Sequence, residues 1–248
     1  VTDPAGEPAA RAAGLEVLVV DDPRATLGAL AAWWYDEPAQ TLGTVGVTGT
    51  DGKTTTAFLI EGALRAAGLT TGLMGTITTR IAGRDYPAAR TTPEAPDLQA
   101  LLAVMVEQGV EAVALEVSSH ALAMGRVNGL VVDVAVFTNL SQDHLDFHAT
   151  MEDYFVAKAM LFTPERARCA VICVDDPYGR RLAEQARTLG LPVTTVGRRL
   201  VSPDVVVDPV GPRPDGGQRV RLTGAVAAEV DLALPGRFNA TNAALALV

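Results

Sequence analysis

The segment Thr48-Gly49-Thr50-Asp51-Gly52-Lys53-Thr54-Thr55 joins an apolar run, Thr44 to Val47, to a helix-period stripe that begins at Lys53. Glycines in such a turn let consecutive backbone N–H groups face inward, and a helix N-terminus adds partial positive charge. Together they seat phosphate oxygens. Lys53 can reach the outer phosphates of a nucleoside triphosphate and Thr54 can ligate magnesium. The spacing departs from the common phosphate loop at one point. A glycine is usual five residues before Gly52, and Val47 stands there, with Gly46 and Gly49 on either side.

Other polar residues close apolar runs. Glu116 follows Ala112-Val-Ala-Leu115, where an ionised carboxylate is costly unless a cation or donors compensate, and magnesium would do so. Solvent or an arginine would also serve. The run Val132 to Thr138 opens into Asn139-Leu-Ser-Gln-Asp143-His144-Leu-Asp146-Phe-His148. His144 and His148 are four apart, but a zinc-protease helix needs Glu at 145 and the residue there is Leu145, so zinc is disfavoured. Lys158 lies among Val156, Ala157, Ala159, Met160 and Leu161, and by periodicity alone reads as a surface lysine that snorkels. Thr91-Thr92-Pro93-Glu94 carries helix-start signals, and the same hydroxyls and N–H groups suit an anionic substrate. Spacing does not separate the two.

The strands and helices that carry these residues alternate. Strand Thr44 to Thr48 leads into helix Lys53 to Ala67, and a short strand near Gly72 to Thr76 follows. Helix Pro96 to Gln108 precedes strand Ala112 to Val117, and strand Val132 to Thr138 precedes helix Met151 to Phe162, where Thr150 and Asp153 have capping-box spacing. Strand Ala170 to Val174, helix Tyr178 to Leu189 and strand Val193 to Val196 complete the alternation. Near-continuous apolar strands mean a parallel sheet covered on both faces. In such a sheet ligands sit outside the carboxyl ends of the strands, and the polar residues above concentrate on that rim. Residues Val201 to Leu234 read as short antiparallel strands, including Arg219 to Thr223 and Ala228 to Leu234, before a last helix from Asn239 or Thr241.

Residues Val1 to about Thr41 contain a strand (Val17 to Val20) and a helix after Asp21-Asp22-Pro23, with Leu27, Leu30, Ala31 and Trp34 at helical spacing. Trp33 and Trp34 read as packing residues. About forty residues do not easily bury a core, so this part is expected to be the tail of a preceding domain plus a linker. The chain has no initiator Met and stops at Val248 inside a helix, so both ends look cut.

With 248 residues and 48% hydrophobic content the chain can bury a sizeable core. No apolar run approaches the ~18 residues of a membrane span, so membrane insertion is not expected. A formal charge of −9 argues against nucleic acid, whose phosphates are bound by excess Lys and Arg. Cys169 and Cys173 fall on one strand, roughly 13 Å apart at about 3.3 Å per residue, beyond disulfide reach. Two core thiols fit a reducing, cytoplasmic setting.

Thr48-Gly-Thr-Asp-Gly-Lys-Thr-Thr55, Thr91-Thr-Pro-Glu94, Glu116-Val-Ser-Ser-His120 with Arg126, Asn139-Leu-Ser-Gln-Asp-His-Leu-Asp146, Tyr154-Phe-Val-Ala-Lys158 and Pro235-Gly-Arg-Phe-Asn-Ala-Thr-Asn242 together resemble the Mur ligases. Within them they look most like the branch that adds the third amino acid to UDP-N-acetylmuramoyl-dipeptide. The resemblance spans roughly Asp21 to Val248. Its phosphate loop is centred on Thr-Gly-Thr-(Asn/Asp)-Gly-Lys-Thr, which accounts for Val47; Asp51 stands where Asn is common.

The resemblance implies an α/β, P-loop NTPase-like central domain over residues 42–248, with a mostly parallel sheet flanked by helices and a small antiparallel β appendage. Residues 1–41 would be a remnant of a UDP-binding N-terminal domain, and a C-terminal amino-acid-binding domain would be absent. The fragment is then expected to be inactive alone. The implied reaction is ATP-driven amide formation through an acyl phosphate, in the cytoplasm, during peptidoglycan precursor synthesis. Thr48, Gly49, Thr50, Asp51, Gly52, Lys53, Thr54, Thr55 and Asn139 would bind ATP, and Asn242 would contact adenine. Thr54 and Glu116 would hold the nucleotide Mg2+. His144 and Lys158 would serve a second ion, Lys158 as a carbamate. Lys53, His144 and Lys158 are the expected catalytic groups, and Thr91, Thr92, Ser118 and Arg126 would bind the muramoyl-dipeptide, a free amino acid being the other substrate. A folylpolyglutamate synthase shares this reaction and fold, and a P-loop ATPase without ligase activity is the reading from another class.

Overall fold

A computed structural model describes residues 1–143 and 147–248. The apolar runs form the strands β1 (Gly43–Thr48), β2 (Thr71–Met74), β3 (Thr78–Ile81), β4 (Arg84–Pro87), β5 (Ala112–Glu116), β6 (Val132–Phe137), β7 (Ala167–Cys173), β8 (Val193–Gly197), β9 (Val205–Pro212), β10 (Gln218–Gly224) and β11 (Ala228–Leu232). They make one sheet in the order β11-β10-β9-β8-β7-β6-β1-β5-β2-β3-β4. From β9 across to β2 each neighbouring pair is parallel, and both outer ends are antiparallel. The expected parallel α/β architecture is therefore observed. Strand β1 lies centrally, with β5 on one side and β6 on the other, so the chain leaves β1 in one direction and later returns to its other flank. That reversal opens a crevice at the carboxyl ends of these three strands.

The helices are α1 (Glu7–Ala12), α2 (Pro23–Trp34), α3 (Lys53–Ala66), α4 (Ala95–Glu107), α5 (Ser119–Ala123), α6 (Met151–Ala159), α7 (Pro177–Thr188) and α8 (Arg237–Leu247). Period-2 alternation along the strands sends side chains to opposite faces. Val113 and Leu115 of β5 pack with Leu98, Leu102 and Met105 of α4, and with Phe155 of α6 and Leu182 of α7, in one core. Ala114, next to them, packs with Ala57 and Ile60 of α3 and Ala240 and Ala244 of α8 in the other. Burying each large apolar side chain contributes about 1.5–3 kcal/mol, so the two cores fix the central strands rigidly under the rim.

Several expectations change. The hairpin β3–β4 was not foreseen, because its strands are four residues long and carry Arg80, Arg84 and Asp85. Its two-residue turn places Ala82 at φ 47° and Gly83 at φ 81°, where Asn-Gly would have been the legible signal. In the Val201 to Leu234 region β10 and β11 are antiparallel as expected, but β9 joins β8 in parallel. The strand expected over Val17 to Val20 is reduced to a single bridge between Thr2 and Val19. Trp33 and Trp34, expected to pack, are 67% and 74% exposed and touch edge-on with ring centroids 6.5 Å apart. The buried face of α2 is made instead by Gly28, Ala31 and Ala32, and it lies against α4. Among the described residues no helix is long and apolar enough to cross a membrane.

Candidate active site

Strand β1 delivers the phosphate loop. Val47 is fully buried in the core and its carbonyl accepts from Val117 N at 2.8 Å, so it belongs to the strand and no glycine is needed there. The turn falls on Gly49, at φ 150°, where a Cβ would stand 1.9 Å from Thr138 Oγ1, and on Gly52, at φ 83°, where a Cβ would stand 2.7 Å from Asn242 Oδ1. The end of β6 clamps the loop. Thr138 Oγ1 donates to Asp51 O at 2.6 Å, Asp51 N donates to Asn139 Oδ1 at 3.0 Å, and Asn139 Nδ2 returns a bond to Asp51 O at 3.0 Å. Helix α3 begins at Lys53 with no side-chain cap, leaving its first-turn amides to a ligand.

Both lysines expected in the chemistry converge on this loop. Lys53 Nζ donates to Gly49 O at 3.0 Å and to Thr50 O at 2.8 Å, and Lys158 Nζ donates to the same Gly49 O at 2.7 Å. Lys158 does not snorkel: it is 1% exposed, with its Nζ 4.4 Å from the Tyr154 ring centre. Burial first and the Lys53 charge second bring its amine down from 10.5 to about 6, against the pull of Asp143 and Asp51. Lys53 is also lowered by burial, opposed by Glu116, Asp51 and Asp143.

Glu116, buried at the end of β5, is saturated with donors. Thr54 Oγ1 donates to its Oε2 at 2.9 Å, Thr76 Oγ1 to the same oxygen at 3.2 Å, and Thr76 N to Oε1 at 2.8 Å. Two cis ligands of an octahedral Mg2+ at about 2.1 Å stand about 3 Å apart, so the Thr54–Glu116 pair already has the spacing of such an edge, with the hard oxygen donors the ion prefers. His144 lies outside the described residues. Among the described residues no three His, Cys, Asp or Glu side chains cluster as a ready-made metal cage.

The four residues expected to bind substrate line the next part of the rim. Thr91 Oγ1 is 3.1 Å from Thr76 Oγ1, which connects it to Glu116. Thr92 does not cap α4, whose N-cap is Glu94; its hydroxyl donates to Glu116 O at 2.8 Å and accepts from Ser118 N at 3.1 Å. Ser118 caps α5 by accepting from Ala121 N. Arg126 sits with Nε 2.9 Å from Glu94 Oε1, close enough for an ion pair but out of line for a hydrogen bond. Arg24 approaches the other Glu94 oxygen at 3.5 Å.

Asn242, buried on α8, faces Gly52 and lines a cavity of about 460 Å³ with Asp51, Thr55, Asn139 and Phe238. A roomier cavity, about 600 Å³, lies between β4 and α4. Sequence reasoning missed Phe238, 70% exposed at that smaller cavity's wall, and Thr76. It also missed Tyr154 as a participant, although the four-residue step from Tyr154 to Lys158 places both on one helix face. Of the two cysteines, Cys173 is a buried thiol pushed up to about 12 by burial, and Cys169 is partly exposed; both are free.

With this geometry in hand, the relationship to known proteins is direct. A sequence profile of the Mur ligase middle domain matches residues 47–248. The chain belongs to the Mur ligase family. Among Mur ligases it is 60% identical over 195 residues to the UDP-N-acetylmuramoyl-L-alanyl-D-glutamate--2,6-diaminopimelate ligase of Streptomyces coelicolor, covering 79% of this chain and 38% of that protein. It is 48% identical over 250 residues to the ligase of the same name from Corynebacterium glutamicum, covering 95% and 48%. A solved structure of a ligase of that name superposes with a TM-score of 0.82 at 31% identity, covering 93% of this chain and 47% of that one. The folylpolyglutamate synthase of Mycobacterium tuberculosis, solved with ADP and AMPPCP, shares the fold at a TM-score of 0.72 and 20% identity, covering 91% and 58%. The chain spans less than half the length of the two curated relatives.

Proposed function

We propose that this Mur ligase chain is the ATP-binding part of an enzyme that adds 2,6-diaminopimelate to UDP-N-acetylmuramoyl-L-Ala-D-Glu in cytoplasmic peptidoglycan precursor synthesis. In this reading residues 1–41 belong to a preceding uridine-binding unit and its linker, and the incoming amino acid is held by a further domain. The observation that carries the reading is the convergence of Lys53, Lys158 and the Thr54–Glu116 pair on one loop, with Thr91, Thr92, Ser118 and Arg126 beside them. The choice of diaminopimelate rests on the names of the relatives.

The chemistry requires two anions, a carboxylate and a triphosphate, to meet in line. The loop amides and Lys53 would hold the outer phosphates after Lys53 leaves the carbonyls of Gly49 and Thr50. Thr54 and Glu116 would hold Mg2+, which supplies charge neutralisation at the transferring phosphoryl group. Asn242 and Asn139 border the cavity for the base. Arg126, Ser118, Thr91 and Thr92 would orient the peptide so that its carboxylate receives the phosphoryl group; the incoming amine then displaces phosphate.

Lys158 has a separate requirement. As an ammonium it repels a metal, but an amine near pKa 6 is mostly free base at neutral pH. Its nitrogen can attack CO2 and release a proton, giving a carbamate whose oxygens, with His144, would serve a second cation.

The test uses the full-length protein with ATP, Mg2+ and the UDP-muramoyl-dipeptide. Phosphate release is expected to require diaminopimelate. Release with lysine instead would overturn the amino-acid choice, release with a folate and glutamate would overturn the substrate class, and release with no acceptor would leave an ATPase.

A further inference from the structure

Beyond the groups assigned above, one buried histidine touches both halves of the site. His148 is 5% exposed, and its Nε2 makes a 2.9 Å hydrogen bond with Ser119 Oγ, itself buried next to the expected substrate contact Ser118. The flat of the same ring faces Tyr154, with centroids 5.0 Å apart and planes tilted by 35°. Tyr154 is fully buried and reaches the phosphate loop: its hydroxyl donates to Thr50 Oγ1 at 3.2 Å, while Lys158 Nζ lies over its ring. The Thr50 hydroxyl donates in turn to Ser141 O, and Ser141 N donates back to it, so Tyr154 meets a loop residue already fixed on both sides.

We infer that His148 is a positioning residue that sets the distance between the substrate turn at Ser118–Ser119 and the phosphate loop at Thr50, through Tyr154. The side chain must do two things at once. It presents a ring nitrogen to Ser119 along its edge and a planar face to Tyr154, a combination that phenylalanine and glutamine each meet only in half. The three residues are close-packed in the interior, where a displacement at one contact is passed on to the next rather than absorbed by solvent. Nucleotide seating at Thr50 and order at the α5 turn are therefore coupled, and the coupling is reciprocal.

This inference rests on the proposed nucleotide site but not on the ligase reaction, so the test reads binding as well as turnover. In the full-length protein, Mg2+ with AMPPCP is expected to slow amide hydrogen exchange both in residues 48–55 and in residues 118–123. In His148→Phe the first protection persists and the second falls about tenfold; His148→Gln, which keeps a polar atom for Ser119 but gives up the ring against Tyr154, recovers only part of it. Ser119→Ala is expected to reproduce the loss, and the double variant to be no worse than either single one. In turnover, His148→Phe lowers kcat about tenfold with the KM for ATP within about twofold. Protection of 118–123 that is unchanged in His148→Phe, or losses that add in the double variant, would overturn the inference. A wild-type protein showing no protection of 48–55 would overturn the nucleotide site and the coupling with it, whereas protection without turnover would overturn only the ligase reading.

Discussion

The phosphate loop and the substrate rim treat their cations in opposite ways. At the loop, Lys158 is buried, Lys53 is half-buried and both donate to one carbonyl, Gly49 O, where burial lowers both amines and the Lys53 charge lowers Lys158 further. At the rim, Arg126 already has Glu94 at 2.9 Å, and Arg24 flanks the same carboxylate. The loop thus stores an electrostatic demand that a triphosphate or a carbamate would satisfy. The rim stores none, and in the proposed reaction recognition there would exchange one partner for another. In the proposed reaction, the energy for seating two anions side by side would therefore come mainly from the nucleotide half.

Three substitutions test this contrast. The largest effect is expected from Lys53→Ala, which should lower ATP-dependent phosphate release by the full-length enzyme about a thousandfold, corresponding to ~4 kcal/mol at the transition state. Turnover near the wild-type rate would remove Lys53 from the chemistry.

Next is Lys158→Met, read as stability against pH in buffer free of CO2 and Mg2+. The unfolded chain holds the Lys158 proton up to about 10.5, and the folded chain releases it near 6. Over that window the unfolded state binds more protons, so wild-type stability rises with pH at up to ~1.4 kcal/mol per unit. The methionine variant lacks this slope. It should be the more stable protein at pH 6.5 in urea denaturation, with an advantage that shrinks toward pH 9, and a pH-independent gap would show that the amine is not forced neutral by folding. Activity of the variant should be lost, and wild-type activity should respond to bicarbonate.

The smallest effect belongs to the rim. Arg126→Ala should raise the KM for the muramoyl-dipeptide about 10- to 100-fold, the ~1.5–3 kcal/mol of a charge-assisted bond, and leave the KM for ATP within about twofold. An equal rise in both would mean that Arg126 serves the fold through Glu94 and not the peptide.

Much of the nucleotide half was legible because its signals are local. The Thr48–Thr55 segment needs only glycines, a helix start and the Lys53–Thr54 pair in consecutive order, and the structure builds the loop from those residues. The pairing of Thr150 with Asp153 was equally local, and its N-cap half is formed, with Thr150 Oγ1 accepting from Asp153 N at 3.1 Å while donating to Asp153 Oδ2 at 2.7 Å. The hairpin β3–β4 was not legible, since Ala82-Gly83 is a weak turn signal and pairing beside β2 supplies what local preference lacks. The tryptophans misled for a related reason. Helical spacing identifies a possible apolar face, but the helix buried its small residues Gly28, Ala31 and Ala32 against α4 and left Trp33 and Trp34 outside.

The sequence by itself determined the phosphate loop, the alternation that makes a parallel sheet, and the rim on which polar residues would gather, because each follows from neighbours within a few positions. Only the tertiary structure decided that Lys158 would be buried against Gly49, 109 positions away, that Thr54 would meet Glu116 across 62, and that Arg126 would face Glu94. Those contacts depend on how strands β1, β5 and β6 are ordered and on which helix face each side of the sheet accepts. Burial then turned an ordinary lysine into an amine near pKa 6, a property that belongs to its surroundings and not to its residue type.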